Sequence, residues 1–311
     1  MVTDQLHGTR SLRAAGYNYY EVRRLLRAGD LSPVRRGAYV VGQLPERAEA
    51  RHRLAVLAAV RELDAEAVVS HVSAAVLHGL PTWTIPLARV HVTKSRPDHG
   101  RRSRSVHVHP AHLDPTEIVM VDGIAVTSVA RTVIDAARGA TFEQAVVVTD
   151  AALAIGLVTR DELARALGNL ARRRGVSLAR RAVEFADGRA ESVGESRSRV
   201  AIARAGLPAP RLQWPVRRPN GTLIGRVDFA WLDYGVIGEF DGEIKYGRLL
   251  RPDQSPGDVV FEEKLREDEL RTETWEVVRW TWPELAAFAA VATRWHRAQT
   301  RHLARLTRPI P

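Results

Sequence analysis

Two periods of apolar residues alternate along this chain, one near 3.6 and one of 2, and the change from one to the other marks its elements. TRSLRAAG (9–16) and YEVRRLLRAG (20–29) read as two short helices joined through Tyr17 and Asn18, with Gly16 as a helix stop. LSPVRRGAYVVG (31–42) alternates around Gly37 as a two-stranded wing would, so the start predicts a winged helix-turn-helix. Residues 47–63 place Leu54, Leu57 and Val60 on one stripe of an amphipathic helix. From 66 to 138 the pattern is α+β: VVSHVSAAVLHGLP, the strand candidates ARVHVTKS, SVHVHPA and IAVTS, then the helix VARTVIDAARG. Residues 141–186 read as helical, with Thr159 or Asp161 able to cap TRDELARALGNLARRR.

A new unit starts near residue 188, after ADGRAES. Its order is helix, strand, strand, strand, helix, strand, helix. GESRSRVAIARAG (194–206) is the first helix. RLQWPV and TLIGRVDFAW form a hairpin about Pro219, Asn220 and Gly221, and YGVIGEFDG (234–242) is a buried strand. VFEEKLREDELR (260–271) reads as a charged helix whose Glu262, Glu263, Lys264, Arg266 and Arg271 fit a solvated face, and WEVVRW (275–280) as a core strand. The expected fold class is multidomain α+β or α/β. Its parts are a winged helix in 1–63, a central α+β domain in 64–187 and an αβββαβ core in 188–311.

Charge narrows the partner. The net charge is +10 and the pI about 10.6, a field that concentrates polyanions, so nucleic acid is the expected partner. Arg23, Arg24 and Arg27 on the second helix, with Arg35 and Arg36 in the wing, are the candidate DNA contacts. The absence of cysteine excludes disulfides, thiolate zinc sites and cysteine nucleophiles. No run approaches the roughly 18 apolar residues of a membrane span, and MVTDQLHGTRSL is no secretory leader, so a cytoplasmic protein with no membrane association is expected.

Acidic residues in apolar strands carry the candidate chemistry. Asp228 interrupts an apolar strand, and the i, i+2 spacing of Glu239 and Asp241 points both to one face of the next. Gathering carboxylates costs several kcal/mol unless cations neutralise them, and oxygen-rich clusters suit Mg²⁺ or Mn²⁺. Of 46 basic residues only Lys94, Lys245 and Lys264 are lysine, so Lys245 and Lys264 stand out beside the acids, with Tyr246 an accessory candidate for stacking on a base. Glu195, in the first turn of its helix, fits either dipole complementation or catalysis. The histidines His71, His78, His91, His107, His109 and His112 are expected to be partly buried or groove-lining side chains. A His-x-His strand presents two rings without a third ligand, and no Glu-x-x-His helix accompanies it.

Taken together, GES (194–196), RVDFAW (226–231), EFDGEIKYGR (239–248), EEKLREDELR (262–271) and WEVVRWTW (275–282) make residues 191–282 resemble the DUF559 branch of the PD-(D/E)XK nucleases, related to very-short-patch repair endonucleases. The resemblance implies a restriction-endonuclease-like core with Glu195, Asp228 and Glu239 as metal ligands; the reading of the residues themselves adds Asp241 and Lys245 to the reaction centre. One position departs from that family: where its lysine follows the strand acid by two residues, this chain has Asp241, so Lys245 or Lys264 must supply the ammonium. The winged-helix start, SHVSAAVLHGLP (70–81) and TSVARTVIDAA (127–137) resemble AbiEi-type antitoxins of type IV toxin-antitoxin systems. That likeness implies DNA binding and a nucleotidyltransferase-type toxin as partner. Two functions follow: a metal-dependent DNA endonuclease, or a non-catalytic regulator or antitoxin that keeps a degenerate nuclease domain.

Overall fold

Helices and β-strands mix throughout, with three sheets among the residues that the computed structural model describes, 6–95, 105–242 and 275–307. The chain is multidomain α+β and divides into two units, 1–186 and 187–311.

The first unit opens with an antiparallel sheet of order β1-β3-β2, from β1 (Leu6–Gly8), β2 (Leu31–Arg35) and β3 (Ala38–Val41). Gly37 turns β2 into β3 with a positive φ of 80°, a region costly for a residue bearing a Cβ. Helices α1 (Thr9–Ala14) and α2 (Tyr19–Ala28) lie between β1 and β2 in the chain. Asn18 caps α2: its Oδ1 accepts from the amides of Tyr20 and Glu21, and the Glu21 carboxylate accepts from the Asn18 amide at 2.8 Å. None of the α2 side chains is fully buried.

After α3 (Ala48–Val60), a five-stranded sheet of order β6-β5-β4-β8-β7 forms from β4 (Val68–Val69), β5 (Val90–Lys94), β6 (Val106–Pro110), β7 (Ile118–Val121) and β8 (Ile124–Thr127). The pairs β5–β6 and β4–β8 are parallel and the other two antiparallel. Helix α4 (His71–Leu77) follows β4, and α5 (Val129–Arg138), α6 (Phe142–Ala154), α7 (Arg160–Asn169) and α8 (Val176–Phe185) complete the unit. One apolar cluster joins Leu6, Ala38 and Val40 of the first sheet to Leu54 and Val56 of α3 and to Val92 and Val126 of the second sheet. The stretches expected as 1–63 and 64–187 therefore share a core.

Two polar devices brace this core. His52 on α3 hydrogen-bonds the Leu87 carbonyl at 2.9 Å and Ser73 Oγ at 2.8 Å, and the same Ser73 oxygen accepts the His91 amide at 2.8 Å. Burial lowers the pKa of His52, which the Leu87 carbonyl opposes. Arg131 on α5 is buried and donates to Asp135 at 2.6 Å and to Glu117 at 2.8 Å, while Arg138 also pairs with Asp135. The TSVARTVIDAA segment is thus a buried ion network, with every charge matched.

In the second unit, α9 (Val193–Arg204) precedes β9 (Arg211–Arg217), β10 (Leu223–Trp231), β11 (Val236–Asp241) and β12 (Glu276–Thr281), which form a sheet of order β12-β11-β10-β9. β9–β10 and β10–β11 are antiparallel and β11–β12 is parallel. The β9–β10 reversal falls at Arg218–Thr222, with Gly221 at φ 87°. Helices α10 (Trp282–Ala286) and α11 (Ala289–Leu306) follow. Phe229, Trp231, Phe240 and Trp280 of the sheet pack in one cluster with Ile202 of α9 and Val291 and Trp295 of α11. Gly194 sets how closely α9 approaches: a Cβ there would come within 1.9 Å of the Phe240 ring. The Trp280 indole donates to Ser198 Oγ on α9 at 2.7 Å. The expected charged helix at 260–271 lies outside the described residues.

Candidate functional site

Register brings the strand acids together. Ala230 of β10 pairs with Ile237 of β11, so two residues further along each strand Asp228 and Glu239 share that face, and Asp241 follows on it. Asp228 is half-buried, and its Oδ2 accepts the Phe240 amide at 2.9 Å, which fixes the side chain against β11. Glu239 is buried, and Asp241 half-buried at the strand end. Parallel pairing sets Arg279 of β12 opposite Glu239, and its guanidinium lies 3.0 Å from the carboxylate. Arg279 is a residue that sequence reasoning missed, because an arginine in a core-type strand declares its partner only through register.

Glu195 is placed differently. It is buried, but its carboxylate serves the start of α9, accepting from the Glu191 amide at 2.9 Å and Ser192 Oγ at 2.8 Å, and from the Gln213 amide group at 2.7 Å. Among the described residues no three of Glu195, Asp228, Glu239 and Asp241 bring ligand atoms within 4.8 Å of one another. Arg226 pairs with Glu191 through two contacts of 2.9 and 2.8 Å. Lys245, Tyr246 and Lys264 lie outside the described residues.

On α2, Arg23, Arg24 and Arg27 are exposed, as is Arg36 in the turn before β3. Arg35 instead pairs with Glu62 at 3.0 Å. Tyr19 and Tyr20, 62% and 80% exposed, stand on the same helix, and Arg23 lies over the Tyr19 ring and donates to its hydroxyl. The sequence reading began this helix at Tyr20 and gave neither tyrosine a role.

The histidines correct an expectation. His91 on β5 and His107 and His109 on β6 share one sheet face, and His71, first residue of α4, stacks on His109 with ring centroids 3.6 Å apart. The pair on β6 does gain further imidazoles: ligand atoms of His71, His91 and His109 all lie within 4.8 Å of one another. His109 Nε2 faces His91 Nδ1 at 3.0 Å, and the His107 ring lies 3.9 Å from that of His109. His71 adopts φ 54°, a strained backbone of the kind that recurs at ligand sites. Its Nδ1 meets Ser70 Oγ at 3.0 Å and its Nε2 is 3.9 Å from the Asp135 carboxylate.

No family model matches the chain. Two uncharacterized proteins of Mycobacterium tuberculosis, from strains CDC 1551 / Oshkosh and H37Rv, are each 39% identical to it over 121 residues. The match covers 39% of this chain and 44% of each relative, so the chain spans less than half the length of these curated relatives.

Proposed function

We propose that the chain is a cytoplasmic DNA-binding protein whose second unit is a restriction-endonuclease-like domain hydrolysing phosphodiester bonds with Mg²⁺ or Mn²⁺. The observation that carries this reading is the placement of Asp228 and Glu239 on one face of two paired strands, with Asp241 beyond them. Its support is chemical: apolar strands gain nothing from half-buried acids, and carboxylate oxygens are the donors hard cations select. The donor set fits Mg²⁺, which uses one or two protein carboxylates together with substrate phosphates. Asp228 and Glu239 would hold it, and when bound it supplies positive charge at the scissile phosphate and lowers the pKa of the attacking water.

The chain's own residues position the rest. The Phe240 amide holds the Asp228 carboxylate in place, and Arg279 sets a guanidinium fork beside Glu239, suited to a phosphate oxygen. Lys245 and Lys264 remain the candidates for the ammonium. Affinity would come from the winged helix we assign to residues 1–63, through exposed Arg23, Arg24, Arg27 and Arg36 on phosphates, with Tyr20 available for stacking.

A second reading draws on other observations: Glu239 is matched by Arg279 and Glu195 by its helix cap, so both are satisfied within the protein. On that reading the domain is a degenerate nuclease and the chain a transcriptional regulator or antitoxin with a nucleotidyltransferase-type toxin as partner. Supercoiled plasmid decides between them. Cleavage with Mg²⁺ or Mn²⁺ that Asp228→Ala and Glu239→Ala abolish supports the endonuclease. Gel shifts that need no metal, without cutting by the parent, overturn it in favour of the regulator.

A further inference from the structure

We propose that His71, His91 and His109 form a second metal site, of a different chemical class from the acidic one, which takes Zn²⁺ through three imidazole nitrogens. The three rings come from separate elements, the start of α4, β5 and β6, and bring their ligand atoms within 4.8 Å of one another. In a tetrahedral zinc site with Zn–N bonds of about 2.0–2.1 Å the nitrogens stand roughly 3.4 Å apart. The 3.0 Å between His109 Nε2 and His91 Nδ1 already lies near that spacing. A hydrogen bond between those nitrogens needs a proton on one of them, and that proton passes to the outer nitrogen of its own ring when both lone pairs turn to a metal. Such a change of tautomer releases no net proton.

The surroundings favour neutral rings, the form that ligates. Burial first, then His91 and the Arg138 and Arg131 guanidinium groups, holds the pKa of His71 well below the usual imidazole range. Burial and the neighbouring imidazoles of His71, His107 and His91 push His109 down to about 2. Those arginines are matched by Asp135 and Glu117, so the pocket carries no excess positive charge against a cation. Fully buried Asp135 lies 3.9 Å from His71 Nε2, a negative charge that favours a cation bound nearby. Three nitrogen donors select borderline ions such as Zn²⁺ over Mg²⁺, and they leave a fourth position for water or for His107, whose ring packs on His109.

The test uses the untagged full chain, stripped with EDTA and titrated with ZnCl₂ against a chromophoric chelator, with Co²⁺ absorption as a direct view of the ligand field. The parent is expected to take up one equivalent at this site and to show the intense visible bands of tetrahedral Co²⁺. His91→Asn and His109→Asn should weaken uptake by more than about tenfold, while His296→Asn, an exposed histidine of the second unit, leaves it unchanged. Excess Mg²⁺ should not compete. The proposal is overturned if the parent shows no such Co²⁺ bands, whatever the variants do. It is equally overturned if the His71→Asn/His109→Asn double variant binds Zn²⁺ as the parent does, or if His296→Asn abolishes uptake.

Discussion

The two units each gather ionisable side chains on one face of a sheet, but they stabilise them by opposite means. In the first unit burial holds the pKa of His71 and His109 low, and the charged groups beside them, Arg131, Asp135, Glu117 and Arg138, form a network in which each cation meets a carboxylate. In the second, Asp228, Glu239 and Asp241 run toward a strand end, and Arg279, the partner of Glu239, keeps 29% of its side chain exposed. The closed arrangement suits a preformed nitrogen site. The other sets its acids along two paired strands that end at half-buried Asp241.

Different variants should break this contrast to different degrees, and tryptophan emission helps to separate the units, since of seven tryptophans only Trp83 falls before residue 187. Asp135→Ala is expected to cost most, about 3–5 kcal/mol in urea unfolding followed by circular dichroism, because it removes the carboxylate that Arg131 and Arg138 share and leaves buried Arg131 with Glu117 alone. A loss below about 1 kcal/mol would show the network is not closed as described. Gly194→Ala should cost about 1–3 kcal/mol, read from tryptophan emission, since the added methyl meets the Phe240 ring.

Acid should separate the units further. A histidine whose pKa is lowered by folding binds its proton more tightly in the unfolded chain, so protonation favours unfolding. His52, and with it His71 and His109, therefore should make the first unit lose stability as pH falls below about 6.5, the ordinary imidazole value, whereas it should be insensitive above it. Urea midpoints by circular dichroism at pH 7.5 and 5.5 measure this, and His52→Gln should shallow the change. Smallest is Glu239→Gln. It relieves crowding among acids and leaves a guanidinium that reaches water, so the change in stability should stay within about 1 kcal/mol of the parent.

What the sequence disclosed depended on how local each signal was. The face shared by Glu239 and Asp241 was legible because strand alternation is a property of neighbouring residues, whereas Asp228 joins it through the register of β10 with β11; Gly221 announced its turn. Strands β1, β4 and β7 were not: β1 and β4 have three and two residues, too few to show a period, and Met120 of β7 is exposed where an apolar strand reads as core. Arg279 and His71 were hidden for a common reason. Each acquires its role from a partner on another element: Arg279 from the parallel register with β11, His71 from rings that follow it by 20 residues or more. Glu195 was legible only as two alternatives, and its bonds to Ser192 and the Glu191 amide are those of a helix cap.

The hydrogen bonds through Ser73 have a mechanical consequence. A single hydroxyl oxygen grips both the ring of His52 and the backbone of His91, so α3 and the strand bearing the imidazoles are pinned at one point. Whatever draws β5 inward therefore pulls on α3 through that one oxygen.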